Sequence, residues 1–200
     1  SVAYRVNLFG AVCGALALAA LTRSVRQGTG STAAGLAAAL ALGLSATFWA
    51  QSTTANIRSL TALFTILCLA LLLRWGTLVQ TGAAQAPRYL LALGVCFGLA
   101  VGHHSSLALL ALPFVAYILL SAPGLLARPR QWVPALGGFA ASFAVLLYLP
   151  IRSRMGAPFD PEPIRTWSDF VEHVLASGFR GDMFYFRSLP DLAARLGVWR

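Results

Sequence analysis

A polar turn interrupts the apolar sequence in the stretch FWAQSTTANIR. Gln51, Asn56 and Arg58 lie close together in it, and the Arg58 guanidinium can hold a phosphate through two parallel hydrogen bonds. We therefore expect this turn to bind a lipid phosphate or a sugar. The alternative is a solvated loop in which Phe48 and Trp49 anchor the chain at the membrane interface.

Two adjacent histidines, His103 and His104, stand inside a long apolar run, GLAVGHHSSLALLALP. Neighbouring side chains on a helix diverge by about 100°, so both rings cannot bind one ion from one helix face. Tyr89–Leu120 would measure about 48 Å as a single helix, which predicts a break at the histidines. We expect His104, more than His103, to share a pocket with Asn56 and Arg152 and to donate a hydrogen bond to phosphate. Alternatively, the pair only caps a tight turn.

The elements that must position these groups are apolar helices. The 200-residue chain is 58% hydrophobic and only 10% charged, against about 25% charged residues in a soluble domain. Six apolar runs lack acidic residues, and most are long enough to cross about 30 Å of hydrocarbon. They are Val2–Leu21, Ala33–Ala50, Leu60–Val79, Tyr89–Val101, Ser105–Leu120 and Trp132–Pro150. The predicted fold class is all-α, a polytopic integral membrane helical bundle of about six helices.

Small residues at four-residue spacing predict close helix packing within this bundle. They are Gly10 with Gly14, Gly35 with Ala39 and Gly43, and Gly94 with Gly98 and Gly102. The three cysteines each lie inside an apolar run and are interpreted as small buried hydrophobic residues.

The charge pattern excludes several functions. All fifteen basic residues are Arg, and all six acidic residues follow position 159. A carboxylate proton relay or carboxylate metal site within the six runs is therefore excluded. The arginines are scattered singly and form no dense patch, so no nucleic acid partner is expected. Phosphate-bearing lipid is the better candidate partner.

The arginines also predict an orientation. The first, third and fifth connections between runs hold six arginines, whereas the second and fourth hold only Arg58. The positive-inside rule places the first set in the cytoplasm. Arg5, Asn7, the polar turn, the histidines and everything after Pro150 then face the extracytoplasmic side. The expected location is a bacterial-type plasma membrane, crossed several times.

The last quarter of the chain differs from the apolar part. We predict a transmembrane bundle over residues 1–152 and an extracytoplasmic segment over 153–200, containing a short amphipathic helix that leads to a further helix. Thr166 to Asp169 form a capping-box pattern ahead of that amphipathic helix. Arg152 follows the sixth run. We interpret it either as a residue that binds phosphate or as an anchor at the membrane interface. Asp160 and Glu162 are interpreted as turn residues or as a cation-binding pair. We expect the sequence to be a piece of a longer chain.

Five stretches in order resemble one family. They are AYRVNLFGAVCGALA, FWAQSTTANIRSLTALF, GLAVGHHSSLALLALP, LYLPIRS and GAPFDPEPIRTWSDFVEHV. The chain resembles the domain-of-unknown-function family 2723, which includes the transmembrane protein 260-like protein O-mannosyltransferases of the GT-C superfamily. In this resemblance His104 falls on the usual His of the family, and Arg152 falls on the arginine of its YLP.R motif.

The resemblance implies a membrane glycosyltransferase. It would transfer a sugar, mannose or similar, from a polyprenyl-phosphate donor to a hydroxyl of a protein or glycan acceptor on the extracytoplasmic face. The general base would be an acidic residue in a loop that precedes Ser1. The residues expected to bind the donor phosphate or sugar are Arg5, Asn7, Gln51, Asn56, Arg58, His103, His104 and Arg152.

One position departs from the family. Members typically read AEVY after the FW.Q turn, whereas this chain has Ala55-Asn56-Ile57-Arg58, so an amide replaces an acid. No cofactor is expected, and the missing acid argues against the divalent metal that the resemblance leaves open. The departure also favours a second interpretation, a non-catalytic lipid-phosphate-binding or assembly subunit. A lipid or solute transporter is a third, although the chain shows no internal repeat.

Overall fold

The computed structural model describes residues 1–156 and 163–174, and the regular elements within them are helices. The chain divides into two compact units, Ser1–Val145 and Leu146–Arg200, and each is described by itself. The α-helices of the first unit are α1 (Val2–Thr29), α2 (Thr32–Gly43), α3 (Ala46–Thr53), α4 (Arg58–Gln80), α5 (Ala86–His103), α6 (Ala111–Ser121) and α7 (Pro129–Ser142). Single 3₁₀ segments cover Ser105–Leu110, Pro123–Leu125 and Phe143–Leu147. In the second unit, the described helices are α8 (Tyr148–Arg154) and α9 (Trp167–Val174).

The predicted all-helical membrane bundle is confirmed. Four segments of the described chain are long and apolar enough to cross a membrane: Val2–Thr29, Arg58–Gln80, Ala86–His103 and Pro129–Arg154. Helices α2 and α3 make a fifth if the bent pair counts as one span. The apolar helix Ser105–Ser121 is shorter than these. The predicted count of about six is therefore four or five full-length spans and one short helix.

The second predicted span differs most from expectation, because it is bent by 70°. Ser45 lies at the bend in an extended conformation, and its hydroxyl oxygen accepts a hydrogen bond from the backbone N–H of Phe48 at 3.3 Å. Such a side-chain cap satisfies an N–H group that would otherwise lack a partner at a helix start. Ser45 therefore ends the run that begins at Thr32 and starts α3 in a new direction.

Helices α5 and α7 pack closely and run parallel. A Cβ atom on Gly94 would overlap the carbonyl of Ala135, and one on Gly98 would overlap Phe139 and Ser142. The contacts advance in the same direction along both helices, which defines the parallel arrangement. Glycine is required here because the two backbones touch. The predicted packing role of the glycine spacing is confirmed at both positions.

The core of the first unit lies among α4, α5 and α6. Its largest fully buried side chain is Trp75 of α4, beside Leu72 from the same helix and Leu90 and Leu93 from α5. The three cysteines are free, and each is buried or half-buried. Antiparallel packing of α4 on α5 gives the unit two ends. The histidine end contains residues 51–61 and 103–106, and the arginine end contains residues 74–90 and 117–131.

The second unit contains the predicted capping box. The Asp169 carboxylate accepts hydrogen bonds from the backbone N–H groups of Thr166 and Arg165 at 2.8 and 2.9 Å, and the Thr166 hydroxyl accepts one from the N–H of Asp169 at 3.1 Å. These bonds, led by those from Thr166, hold the pKa of the Asp169 carboxyl below its usual value. The predicted start of the amphipathic helix at Trp167 is confirmed. Asp160, Glu162 and the further helix lie outside the described residues.

Candidate functional site

Asn56 organises the turn between α3 and α4. Its side-chain nitrogen donates hydrogen bonds to the side-chain oxygens of Gln51 and Thr54, and its side-chain oxygen accepts one from the backbone N–H of Arg58 at 2.7 Å. The last bond satisfies a free N–H group at the start of α4. The polar atoms of Asn56 are thus occupied within the turn, and this geometry fixes the backbone from which the Arg58 side chain extends.

A buried hydrogen bond fastens this turn to the bundle. The hydroxyl of Ser59, which is 3% exposed, donates to the backbone carbonyl of Gln51 at 3.1 Å. Helix α1 lies against the same segment, since a Cβ on Gly10 would be 3.3 Å from the carbonyl oxygen of Ser52. The first turns of α1, with exposed Arg5 and half-buried Asn7, therefore lie at the histidine end. Neither of these two side chains has a hydrogen-bond partner within residues 1–156 or 163–174.

His103 ties the end of α5 to the start of α4. Its Nε2 lies 3.2 Å from the carbonyl oxygen of Ile57 and 3.2 Å from the hydroxyl oxygen of Thr61. The Thr61 hydroxyl donates to the same carbonyl at 2.9 Å. Because a carbonyl oxygen only accepts, Nε2 carries the proton. His103 is therefore committed to contacts within the protein.

His104 has a different environment. It is the extended residue between α5 and the 3₁₀ segment Ser105–Leu110, and its Nδ1 accepts a hydrogen bond from the backbone N–H of Ser106 at 3.4 Å. The Ser106 hydroxyl oxygen lies 2.7 Å from the same nitrogen. A neutral imidazole that accepts at Nδ1 carries its proton on Nε2. His104 thus retains one N–H donor that has no partner in the described part of the chain.

Arg58 and His104 line the same cavity, which has a volume of about 550 Å³. Helix α4 forms one wall with residues spaced three and four apart, so that they share a helix face. The lining residues are Ile57, Arg58, Thr61, Ala62, Thr65, Ile66, His104 and Ser106. The hydroxyls of Thr61 and Thr65 donate to carbonyls one turn earlier. Among the described side chains that line this cavity, the free donors are the exposed Arg58 guanidinium and the Nε2–H of His104.

A smaller cavity of about 240 Å³ lies on the other side of Arg58, between α4 and the bent pair α2 and α3. Gln51 and Ser52 contribute to its lining. The hydroxyl of Ser52 is buried and has no partner among the described residues. Arg58 therefore borders both cavities.

The structure thus groups several of the predicted residues at one end of the first unit. Gln51, Asn56, Arg58 and the two histidines surround the turn, with Arg5 and Asn7 on the adjoining helix. Arg152 belongs to the second unit, so its part in this site stays a prediction. Within the described residues, no three His, Cys, Asp or Glu side chains are grouped to hold a metal ion. Thr61, Thr65 and Ser106 were not among the predicted residues, although the four-residue spacing of the threonines was a visible signal.

The fold and this site define a class, a helical membrane protein with a cationic cavity at one end of its bundle. Residues 1–124 match the family described as the protein O-mannosyl-transferase TMEM260 N-terminal domain. The chain belongs to this family, as its resemblance predicted. No curated protein and no solved structure matches the chain significantly.

Proposed function

We propose that the chain forms the donor-binding part of a membrane glycosyltransferase, which passes mannose or a similar sugar from a polyprenyl-phosphate donor to a hydroxyl acceptor. Membership of a protein O-mannosyl-transferase family supports the reaction class. The observation that carries the assignment to this site is the cavity shared by Arg58 and His104. Its volume falls within the range of about 300–1,000 Å³ that is usual for small-molecule sites.

The chemistry of the cavity suits a phosphate. The guanidinium of Arg58 can hold two phosphate oxygens at once, and the Nε2–H of His104 can donate to a third. Residues 1–159 contain no carboxylate that would neutralise the arginine or repel the anion. Preformed donors of this kind stabilise the negative charge that grows on the departing phosphate during sugar transfer.

We place the site on the extracytoplasmic side. The exposed arginines Arg23, Arg26, Arg74, Arg88, Arg128 and Arg130 lie toward the arginine end. The positive-inside rule assigns that end to the cytoplasm. The histidine end, with its cavity, then faces outward, and the acceptor would be a secreted or membrane-bound protein or glycan. In the same proposal, Arg152 joins the donor site.

The test is sugar transfer by the full-length protein from polyprenyl-phosphate-mannose to a protein acceptor. We expect Arg58→Ala and His104→Ala each to lower kcat/KM by about 10-fold or more, since a hydrogen bond to a charged group contributes about 1.5–3 kcal/mol. Arg152→Ala tests its predicted role in the same assay. Arg74→Ala, which changes an exposed arginine at the other end of α4, is the matched control. Parental rates in both cavity variants would remove this cavity from the reaction.

A second candidate is a lipid-phosphate-binding subunit without catalysis. Asn56 favours this candidate, because it stands where the resemblance expects an acid. Its polar atoms form hydrogen bonds within the turn. This candidate predicts donor binding that depends on Arg58 and His104, with no transfer by the full-length protein. Parallel measurements of donor binding and sugar transfer separate the two functions.

A further inference from the structure

We propose that a second cavity, at the arginine end, binds the phosphodiester head group of an anionic membrane lipid. This cavity has a volume of about 370 Å³ and lies where α4 ends and where α5 and α7 begin. Its lining includes the side chains of Trp75, Leu90, Leu125, Arg128 and Gln131. None of these residues lines the donor cavity.

The polar part of the lining can recognise a phosphate. Arg128 is exposed, and its guanidinium has no partner within the described residues. Gln131 follows three residues later in the first turn of α7, and its side-chain amide adds a neutral donor to the same cavity. A guanidinium beside an amide suits a phosphodiester, which carries one negative charge over two oxygens.

The backbone at this cavity offers few donors, so recognition falls to the side chains. The N–H groups of Ala86 and Arg88 donate to carbonyls of the preceding turn at 3.1 and 3.0 Å, and Pro87 has no N–H. The N–H of Gln131 donates to the carbonyl of Arg128 at 2.9 Å. Within the described part of the chain, Arg128 is the one cation that lines the cavity, and Gln131 contributes the one side-chain amide.

The apolar part of the lining indicates an amphiphile. Trp75, Leu90 and Leu125 are 1%, 4% and 6% exposed, and they form an apolar wall behind Arg128 and Gln131. A free phosphate gains nothing from such a wall, whereas the glycerol and first methylenes of a lipid bury apolar area against it. The cavity also lies at the end of α4 and the start of α5, both long enough to cross a membrane, where head groups are found.

The electric field at this end favours an anion. Six arginines lie in and around it, and residues 1–159 contain no acidic side chain. An uncompensated positive region raises the local concentration of anions and attracts acidic lipids. Along α4, Trp75 of this cavity lies 17 residues, or about 26 Å, from Arg58, so a lipid head group here would not occupy the donor cavity.

The experiment measures lipid binding to the full chain in phosphatidylcholine nanodiscs. The probes are a labelled phosphatidylglycerol and, in a separate arm, inorganic phosphate. We expect phosphatidylglycerol to bind, Arg128→Ala to weaken binding by about 10-fold or more, and Gln131→Leu to weaken it by about 3-fold or more. Arg130→Ala removes the same charge two residues away, outside the cavity lining, and should weaken binding by less than about 3-fold.

Three results would overturn the proposal. Equal losses in Arg128→Ala and Arg130→Ala would indicate attraction by net charge alone. Saturable binding of inorganic phosphate with the affinity of the lipid would identify a free phosphate as the ligand. Unchanged binding in Arg128→Ala would remove the cavity from lipid recognition. Thermal unfolding of each variant checks folding, and Arg128→Gln replaces Arg128→Ala if the alanine variant fails to fold.

Discussion

The imidazole of His103, at the end of α5, meets the hydroxyl of Thr61, in the first turn of α4, at 3.2 Å. His104, the next residue, turns its ring to Ser106 and to the cavity instead. Two chemically identical side chains thus have separate tasks, because the chain changes from helical to extended between them. One holds two helices together, and the other keeps an N–H donor free.

These separate contacts predict that alanine substitutions of the two histidines affect different properties, stability for His103 and donor binding for His104. His103→Ala should lower the free energy of unfolding by about 1–2 kcal/mol, because the Ile57 carbonyl and the Thr61 hydroxyl each lose their contact with the imidazole that joins α5 to α4. His104→Ala removes only the cap of the short 3₁₀ segment, so it should lower the free energy of unfolding by less, about 0.5 kcal/mol, and should weaken donor binding. Denaturation in detergent and donor titration measure the two quantities. A larger stability loss in His104→Ala than in His103→Ala would contradict the assignment.

The close contact between α5 and α7 predicts a strong effect of a single methyl group. Gly94→Ala should destabilise the protein by about 1–3 kcal/mol, since the added Cβ would overlap the backbone of Ala135. Gly137→Ala is the control, because nothing lies within 4 Å of a Cβ at that position of α7. It should be neutral or stabilising by about 0.5–1 kcal/mol. Thermal unfolding of both variants checks the difference; equal melting temperatures would refute the parallel contact.

The turn at Asn56 predicts how the chain tolerates a carboxylate at this position. Asn56→Ala should lower stability by about 0.5–2 kcal/mol, because α4 loses its cap. Asn56→Asp keeps an oxygen for the N–H of Arg58 and adds a favourable negative charge near a helix start. The amide of Gln51 can then rotate to donate where it now accepts. Asn56→Asp should therefore be at least as stable as the parent, which chemical denaturation of the three proteins tests.

The capping box of α9 predicts a pH dependence. Hydrogen bonds from Thr166 and Arg165 hold the pKa of Asp169 below its unfolded value. The stability that they give is fully present above the unfolded pKa, about 3.9, and is lost as the pH falls through the lower folded pKa. The protection factors of the α9 amides, which are exchange rates corrected for the intrinsic effect of pH, should therefore fall below about pH 4. In Asp169→Asn the protection factors should change little over the same range, whereas a pH response equal to the parent would exclude Asp169 as its source.

Much of the fold could be predicted from local signals. The length of the apolar run around His103 predicted a break there, and glycine spacing predicted the contacts of Gly94 and Gly98. The bend at Ser45 was missed, because a single serine within an apolar run gives little sign that its side chain will cap a new helix. The mean hydropathy of the run changes little with one serine, whereas one hydrogen bond from that serine is enough to start a new helix.

The site was less predictable, because its geometry depends on partners distant in sequence. Asn56 was expected to bind a ligand, but Gln51 and Arg58 occupy its polar atoms. Arg58 and His104, 46 positions apart, were both expected at the donor site, but no local pattern in the sequence predicts the cavity that they share. The donor-binding role of every predicted residue stays a prediction for the experiments above.

The parallel arrangement of α5 and α7 has a consequence for biosynthesis. Gly94 and Ala135 are 41 positions apart, so α5 emerges from the ribosome before its partner exists. At about 5–20 residues per second, the interval is about 2–8 s. During that time the glycine face of α5 is covered by lipid tails or by the insertion machinery, and α7 must displace them to reach its place.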